Sequence, residues 1–166
     1  MQSMTRTPVL WALFVLMISC NVGFVLLDPL IGGNMLDLVP THEDTRRVFS
    51  ALTPEQKNAH FWITVLLDTL YPLTFGFLFA GLAWRFFGKW GPLAAIPGFA
   101  VMIVDLTENM IQALALSGAA DLLDAKVWVT PLKIYLFLLA AAIALVAVII
   151  ALVRLLRKKK PGGAVS

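Results

Sequence analysis

Four apolar runs decide what this chain can fold into, because each is long enough to cross about 30 Å of hydrocarbon at about 1.5 Å per helical residue. They extend from Pro8 to Leu27, His60 to Phe87, Pro92 to Leu116 and Pro131 to Val153. In lipid no water bonds the backbone, so continuous runs of this length cross as α-helices. The expectation is an all-α, four-transmembrane-helix bundle that forms a single integral membrane domain over residues 1–166. Composition points the same way: 60% of residues are hydrophobic and 14% charged, which is far from the average of soluble domains.

Boundary signals frame the runs. Thr53-Pro54-Glu55-Gln56 has the form of an N-cap, a proline at the first helical position and a capping glutamine, so the second helix is expected to start before the membrane and enter it near His60. Gly88-Lys89-Trp90-Gly91-Pro92 reads as a tight break, and Ser117-Gly118 as the close of the third helix. Thr130-Pro131 predicts the start of the fourth by the same cap-and-proline logic. The longest connection covers residues 28–57. Within it Thr41-His42-Glu43-Asp44 reads as the cap of a short helix through Leu52, with Val48, Phe49 and Leu52 on its apolar side. That helix either covers the mouth of the bundle or simply joins two spans at the membrane surface.

Orientation follows from lysine and arginine. Arg6, Arg85, Lys89, Arg154, Arg157, Lys158, Lys159 and Lys160 flank the spans on one side with no acid among them. The positive-inside rule makes that side cytoplasmic, placing both termini and the basic tail 154–166 inside. Asp28, Asp37, Glu43, Asp44, Glu55, Asp121 and Asp124 lie on the other side with Arg46, Arg47, Lys57 and Lys126. The net charge of +3 is thereby an orientation signal: the lipid bilayer is the expected partner and nucleic acid is not. A single cysteine, Cys20, excludes an internal disulfide and a four-thiolate metal site. Met17-Ile18-Ser19-Cys20 resembles a bacterial lipoprotein cleavage site, but the apolar run continues to Leu27, as an uncleaved span would.

Charged groups inside hydrocarbon cost roughly 2.5 to 3.5 kcal/mol each and are kept where they face other helices. Asp105, Glu108, Asn109 and Gln112 share one face of the third helix, with Ala94 and Gly98 farther along it. Phe61, Thr64, Asp68, Tyr71, Phe75 and Phe79 share a face of the second. Pro72 there withholds the N–H that the Asp68 carbonyl would otherwise accept. On the fourth helix Lys133, Ala140, Ala144, Ala147 and Ala151 form an alanine seam with lysine at its outer end. The bland reading of Lys133 is a side chain that snorkels to the interface.

Counting residues from the outer boundary puts Asp68 and Glu108 each roughly 12 Å deep, with Lys133 within reach of Glu108. One polar chamber in the outer half of the bilayer is the expected result. It is built from Thr64, Asp68, Tyr71, Phe75, Asp105, Glu108, Asn109, Gln112 and Lys133. Taking Lys133 as its only cation, three acids would leave two negative charges uncompensated. Either protons or a bound cation balance them, or Arg46, Arg47 or Lys57 folds in from the outer loop.

Three functions fit such a chamber. It binds a small hydrophobic or cationic ligand, an ion or a proton. Alternatively, the polar groups only hold helices together, in a homo-oligomer or as a noncatalytic accessory subunit of a larger membrane complex. In the third reading the chain is an acid–base enzyme on a membrane-dissolved lipid or isoprenoid, and Asp105, Glu108 and Asp68 are catalytic. No cofactor is expected. His60 is the nearest approach to a metal ligand, with Asp68 and Glu108, although its place beside Trp62 fits an interfacial belt. At Asp68-x-x-Tyr71-Pro72 and Asp105-x-x-Glu108-Asn109 the chain resembles small bacterial four-helix integral membrane proteins. That resemblance implies residence in a bacterial cytoplasmic membrane and supplies no activity.

Overall fold

The computed structural model of the protein describes residues 5–33, 35, 36 and 42–158. Among them the chain is helical and has no strand. The helices are α1 (Thr7–Leu27), α2 (His42–Ala51), α3 (Pro54–Ile63), α4 (Thr69–Phe86), α5 (Gly91–Leu116) and α6 (Lys126–Lys158). A π-helical turn over Thr64–Asp68 joins α3 directly to α4. Four stretches are long and apolar enough to cross a membrane: Thr7–Ile31, Pro54–Phe86, Gly88–Leu116 and Leu123–Arg157. Thr41, the expected cap of α2, and residues 159–166 of the basic tail lie outside the described residues.

Local chemistry explains most boundaries. The Thr53 hydroxyl accepts from the Gln56 N–H at 3.2 Å, and Gln56 accepts from the Thr53 N–H at 2.9 Å. This reciprocal pair fixes the start of α3. Gly118 ends α5 with φ 73° and Gly88 turns the chain between α4 and α5 with φ 59°, conformations that glycine adopts without steric cost.

The fourth span departs from expectation. Its helix begins at Lys126, and Pro131 lies inside it. Pro131, sixth in the helix, has no N–H to donate to the carbonyl four residues back, so one intrahelical hydrogen bond is missing there while the helix continues. At the other end α6 continues past Val153 to Lys158.

Helices α4, α5 and α6 pack on one another, whereas α1 packs mainly on α4. Small residues set the separation of α4 and α5. A Cβ added at Gly98 would stand 2.9 Å from the Ala80 nitrogen, and one at Gly76 would stand 2.7 Å from Met102 Cβ. Ala80, Ala83 and Ala95 are buried between the same helices. Lipid is as apolar as these side chains, so close contact rather than water exclusion drives the association. The alanine seam of α6 faces inward, with Ala140, Ala144 and Ala147 all buried. Cys20 is buried within α1.

The two ends of the bundle differ. At one, Arg85 Nη1 donates to the Thr5 carbonyl and to Thr7 Oγ1, both at 2.9 Å, and Arg154 Nη2 donates to the Phe86 carbonyl at 3.2 Å. These bonds gather the start of α1 with the ends of α4 and α6 into a basic end. At the opposite, loop end, Val48, Phe49 and Leu52 pack on Leu36 and Leu116, and Phe49 also on Ile111, Ala115 and Leu123.

Overpacking a full interface costs about 1–3 kcal/mol. Ala147→Leu, with no accessible surface at the parent residue, and Gly98→Ala should each lower the melting temperature in mild detergent by several degrees. Leu138→Ala, on a surface that is 59% exposed, should leave it near the parent value.

Candidate functional site

Glu108 has no accessible surface, and its carboxylate is held entirely by α6. Lys133 Nζ lies 2.6 Å from Oε2, Lys126 Nζ lies 3.1 Å from Oε1, and Thr130 Oγ1 donates to Oε1 at 2.5 Å. Lys133 Nζ also stands 3.4 Å from Asp105 Oδ1. Lys133 is itself buried, so it does not snorkel. Lys126, buried more deeply still, donates to the Leu36 carbonyl at 2.7 Å and thereby ties the loop before α2 to the cluster.

The π-helical turn shapes the opposite wall. Thr69 Oγ1 donates to the Thr64 carbonyl, five residues back, at 3.0 Å. Pro72 withholds its N–H from the Asp68 carbonyl, and Asn109 Nδ2 of α5 donates to that carbonyl at 2.5 Å. The acceptor that the proline sets free thus becomes a bridge between α4 and α5. Asp68, Thr64, Asp105, Asn109 and Gln112 are all buried. Asn109 Oδ1 is enclosed as well and accepts no hydrogen bond from the described residues.

Aromatic rings close the side toward the basic end. Tyr71 meets Phe75 and Phe24 edge-on at 5.1 and 5.6 Å between centroids. Phe75 continues to Phe137 at 5.2 Å.

The expected residues are brought into one region, but the expected charge count is wrong. Lys133 is not the only buried cation, because Lys126 joins it, so three buried carboxylates are set against two buried lysines. None of the loop cations considered from sequence supplies the balance. Arg46 is bound to Asp124 at 2.5 Å and Asp121 at 3.0 Å, and those two hydrogen bonds push its guanidinium up from the ordinary arginine value. Arg47 pairs with Asp44 at 3.2 Å, and Lys57 lies over the Phe49 ring at 4.4 Å. The belt reading of His60 also fails, since the imidazole is 1% exposed while neighbouring Trp62 is 52% exposed. Among the described residues no three His, Cys, Asp or Glu side chains converge as a metal site.

Lys126 and Thr130 are the members that sequence reasoning missed, and a signal for them existed. Lys126, Thr130, Lys133, Phe137, Ala140, Ala144 and Ala147 follow alternating spacings of four and three, the pattern of one helix face. Placing the helix start at Pro131 cut that pattern two members short. Comparison with protein-family models, curated proteins and solved structures gave no match.

Removing one partner from a buried ion pair costs about 3–5 kcal/mol, because the other charge stays desolvated. Lys126→Met should destabilise by that order in reversible unfolding. Lys57→Met, which loses only a half-buried contact with a ring, should cost about 1 kcal/mol or less.

Proposed function

We propose that this chain is a small polytopic membrane protein that binds one positive charge, as a proton or a small cation, at the cluster around Asp68, Asp105 and Glu108. The observation that carries the reading is the charge imbalance of three buried carboxylates against two buried lysines. With all three ionised, one net negative charge would remain in a low dielectric, which is costly, so an exchangeable positive species belongs there. Asn109 Oδ1 offers that species, or a water carried with it, an acceptor that the chain leaves open. His60 and Tyr71 are the other titratable side chains on the wall formed by the second span.

Complete burial of Glu108 and Gln112 favours an occupant of atomic size over a large apolar ligand. The same burial weighs against acid–base catalysis on a lipid, which needs room for the reacting carbon. Positive-inside bias makes the basic end cytoplasmic, so the cluster belongs to the outer half of a cytoplasmic membrane and α2 to the outer loop.

One observation favours a second reading. Among the described residues every side-chain partner of Glu108 comes from α6, as it would in a network that only fastens α5 to α6 in an accessory subunit. Neutral isosteres separate the two. Asp68→Asn, Asp105→Asn and Glu108→Gln keep shape while removing the titratable group. If the cluster binds a charge, the parent's melting temperature varies with pH or with added monovalent cation, and at least one folded variant loses that dependence. An unchanged profile in all three would leave the fastening role in front.

Orientation is tested separately on a Cys20→Ala background. A cysteine at Ala119 should react with an impermeant thiol reagent applied to intact cells, and one at Gly163 should not. The reverse pattern overturns the assignment.

A further inference from the structure

A second polar feature lies at the basic end, far from the carboxylates. Between the ends of α4 and α6 is a cleft of about 590 Å³ lined by Arg85, Phe86, Ala151, Arg154, Leu155 and Arg157. Three of its six lining residues are arginines, and no acid among the described residues lines it. Two of them are already oriented. Arg85 is held through Nη1 by Thr5 and Thr7, and Arg154 through Nη2 by the Phe86 carbonyl. Each guanidinium carries five donors, so both keep free N–H groups while their positions are fixed. Arg157 has no hydrogen bond or ion pair with the described residues. The remaining walls are apolar, and Leu155 is 55% exposed. The cleft also sits where two candidate membrane spans end, at Phe86 and Arg157, and exposed Trp90 marks the same level on the adjoining turn.

From this arrangement we infer that the cleft binds the headgroup of an anionic phospholipid, its phosphate among Arg85, Arg154 and Arg157 and an acyl chain along Phe86, Ala151 and Leu155. The charge chemistry is that of any phosphate, since arginine forks match its oxygens. An apolar floor opening toward the hydrocarbon selects the lipid over a soluble anion. The proposal needs only the membrane-spanning reading of the four helices and is independent of the Glu108 cluster.

The test uses the full chain purified in mild detergent, with bound lipid counted by native mass spectrometry. Phosphatidylglycerol and phosphatidylcholine of equal chain length are titrated in turn. Phosphatidylglycerol should bind at least about fivefold more tightly. Arg157→Gln should weaken it about fivefold, equivalent to about 1 kcal/mol per basic residue near a lipid headgroup. Because Arg157 makes no hydrogen bond or ion pair with the described residues, that variant should melt like the parent. Arg154→Gln should weaken binding further, whereas Lys89→Gln, at the same end but outside the cleft, should not. Millimolar orthophosphate should fail to displace the lipid. Equal affinity for the two lipids, or equal losses from Lys89→Gln and Arg157→Gln, would overturn the proposal in favour of diffuse surface charge. Displacement by orthophosphate would overturn it in favour of a soluble-anion site.

Discussion

A carboxylate with no solvent contact, Glu108, sets the terms for the loop end of the bundle. In a medium of low dielectric it persists only if cations and donors come to it. Helix α6 supplies its three side-chain partners among the described residues, Lys126, Thr130 and Lys133, from two successive turns. That demand accounts for a helix that runs through Pro131 instead of starting there. It reaches the loop as well, because Lys126 is bonded to the Leu36 carbonyl in addition to Glu108.

Across from α6, the second span departs from ideal helix at the same level. The π-helical turn ends on Asp68, and Pro72 follows one turn later. Such interruptions are uncommon in apolar helices unless neighbouring groups satisfy the freed backbone. Here the Thr69 hydroxyl and the Asn109 amide do so. The arrangement commits the Asn109 amide nitrogen to α4 and leaves its enclosed oxygen without a donor among the described residues. Polar geometry and electrostatic need therefore coincide on one small volume.

Away from that volume the bundle is held by contact rather than charge. Glycine and alanine line the α4–α5 and α6 interfaces, while large side chains such as Tyr135, Leu145 and Leu156 point outward. In water those exposed residues would be a liability; in lipid they are solvated. The same solvent explains why the two ends differ. Acidic and basic side chains pair with each other at the loop end, as Arg46 does with Asp121 and Asp124. At the basic end arginines turn to backbone carbonyls and leave donors free.

Length and hydropathy alone determined that this chain is helical with four spans, because lipid allows few alternatives and the apolar runs have the length of a bilayer core. The cap at Thr53, the glycines at 88 and 118, the acidic face of α5 and the spare carbonyl at Asp68 were also legible, since each rests on neighbours within a turn or two. What tertiary structure decided was charge balance. Lys126 reads from sequence as a loop cation beside Asp121 and Asp124, and Arg46 as a possible visitor to the site; the fold exchanges their roles, burying the lysine and leaving the arginine with those acids. His60 likewise reads as interfacial and is buried. Local pattern could not settle these cases, because which cation enters a low-dielectric site depends on whose backbone lies close enough to reach it. That distance exists only once the helices have packed.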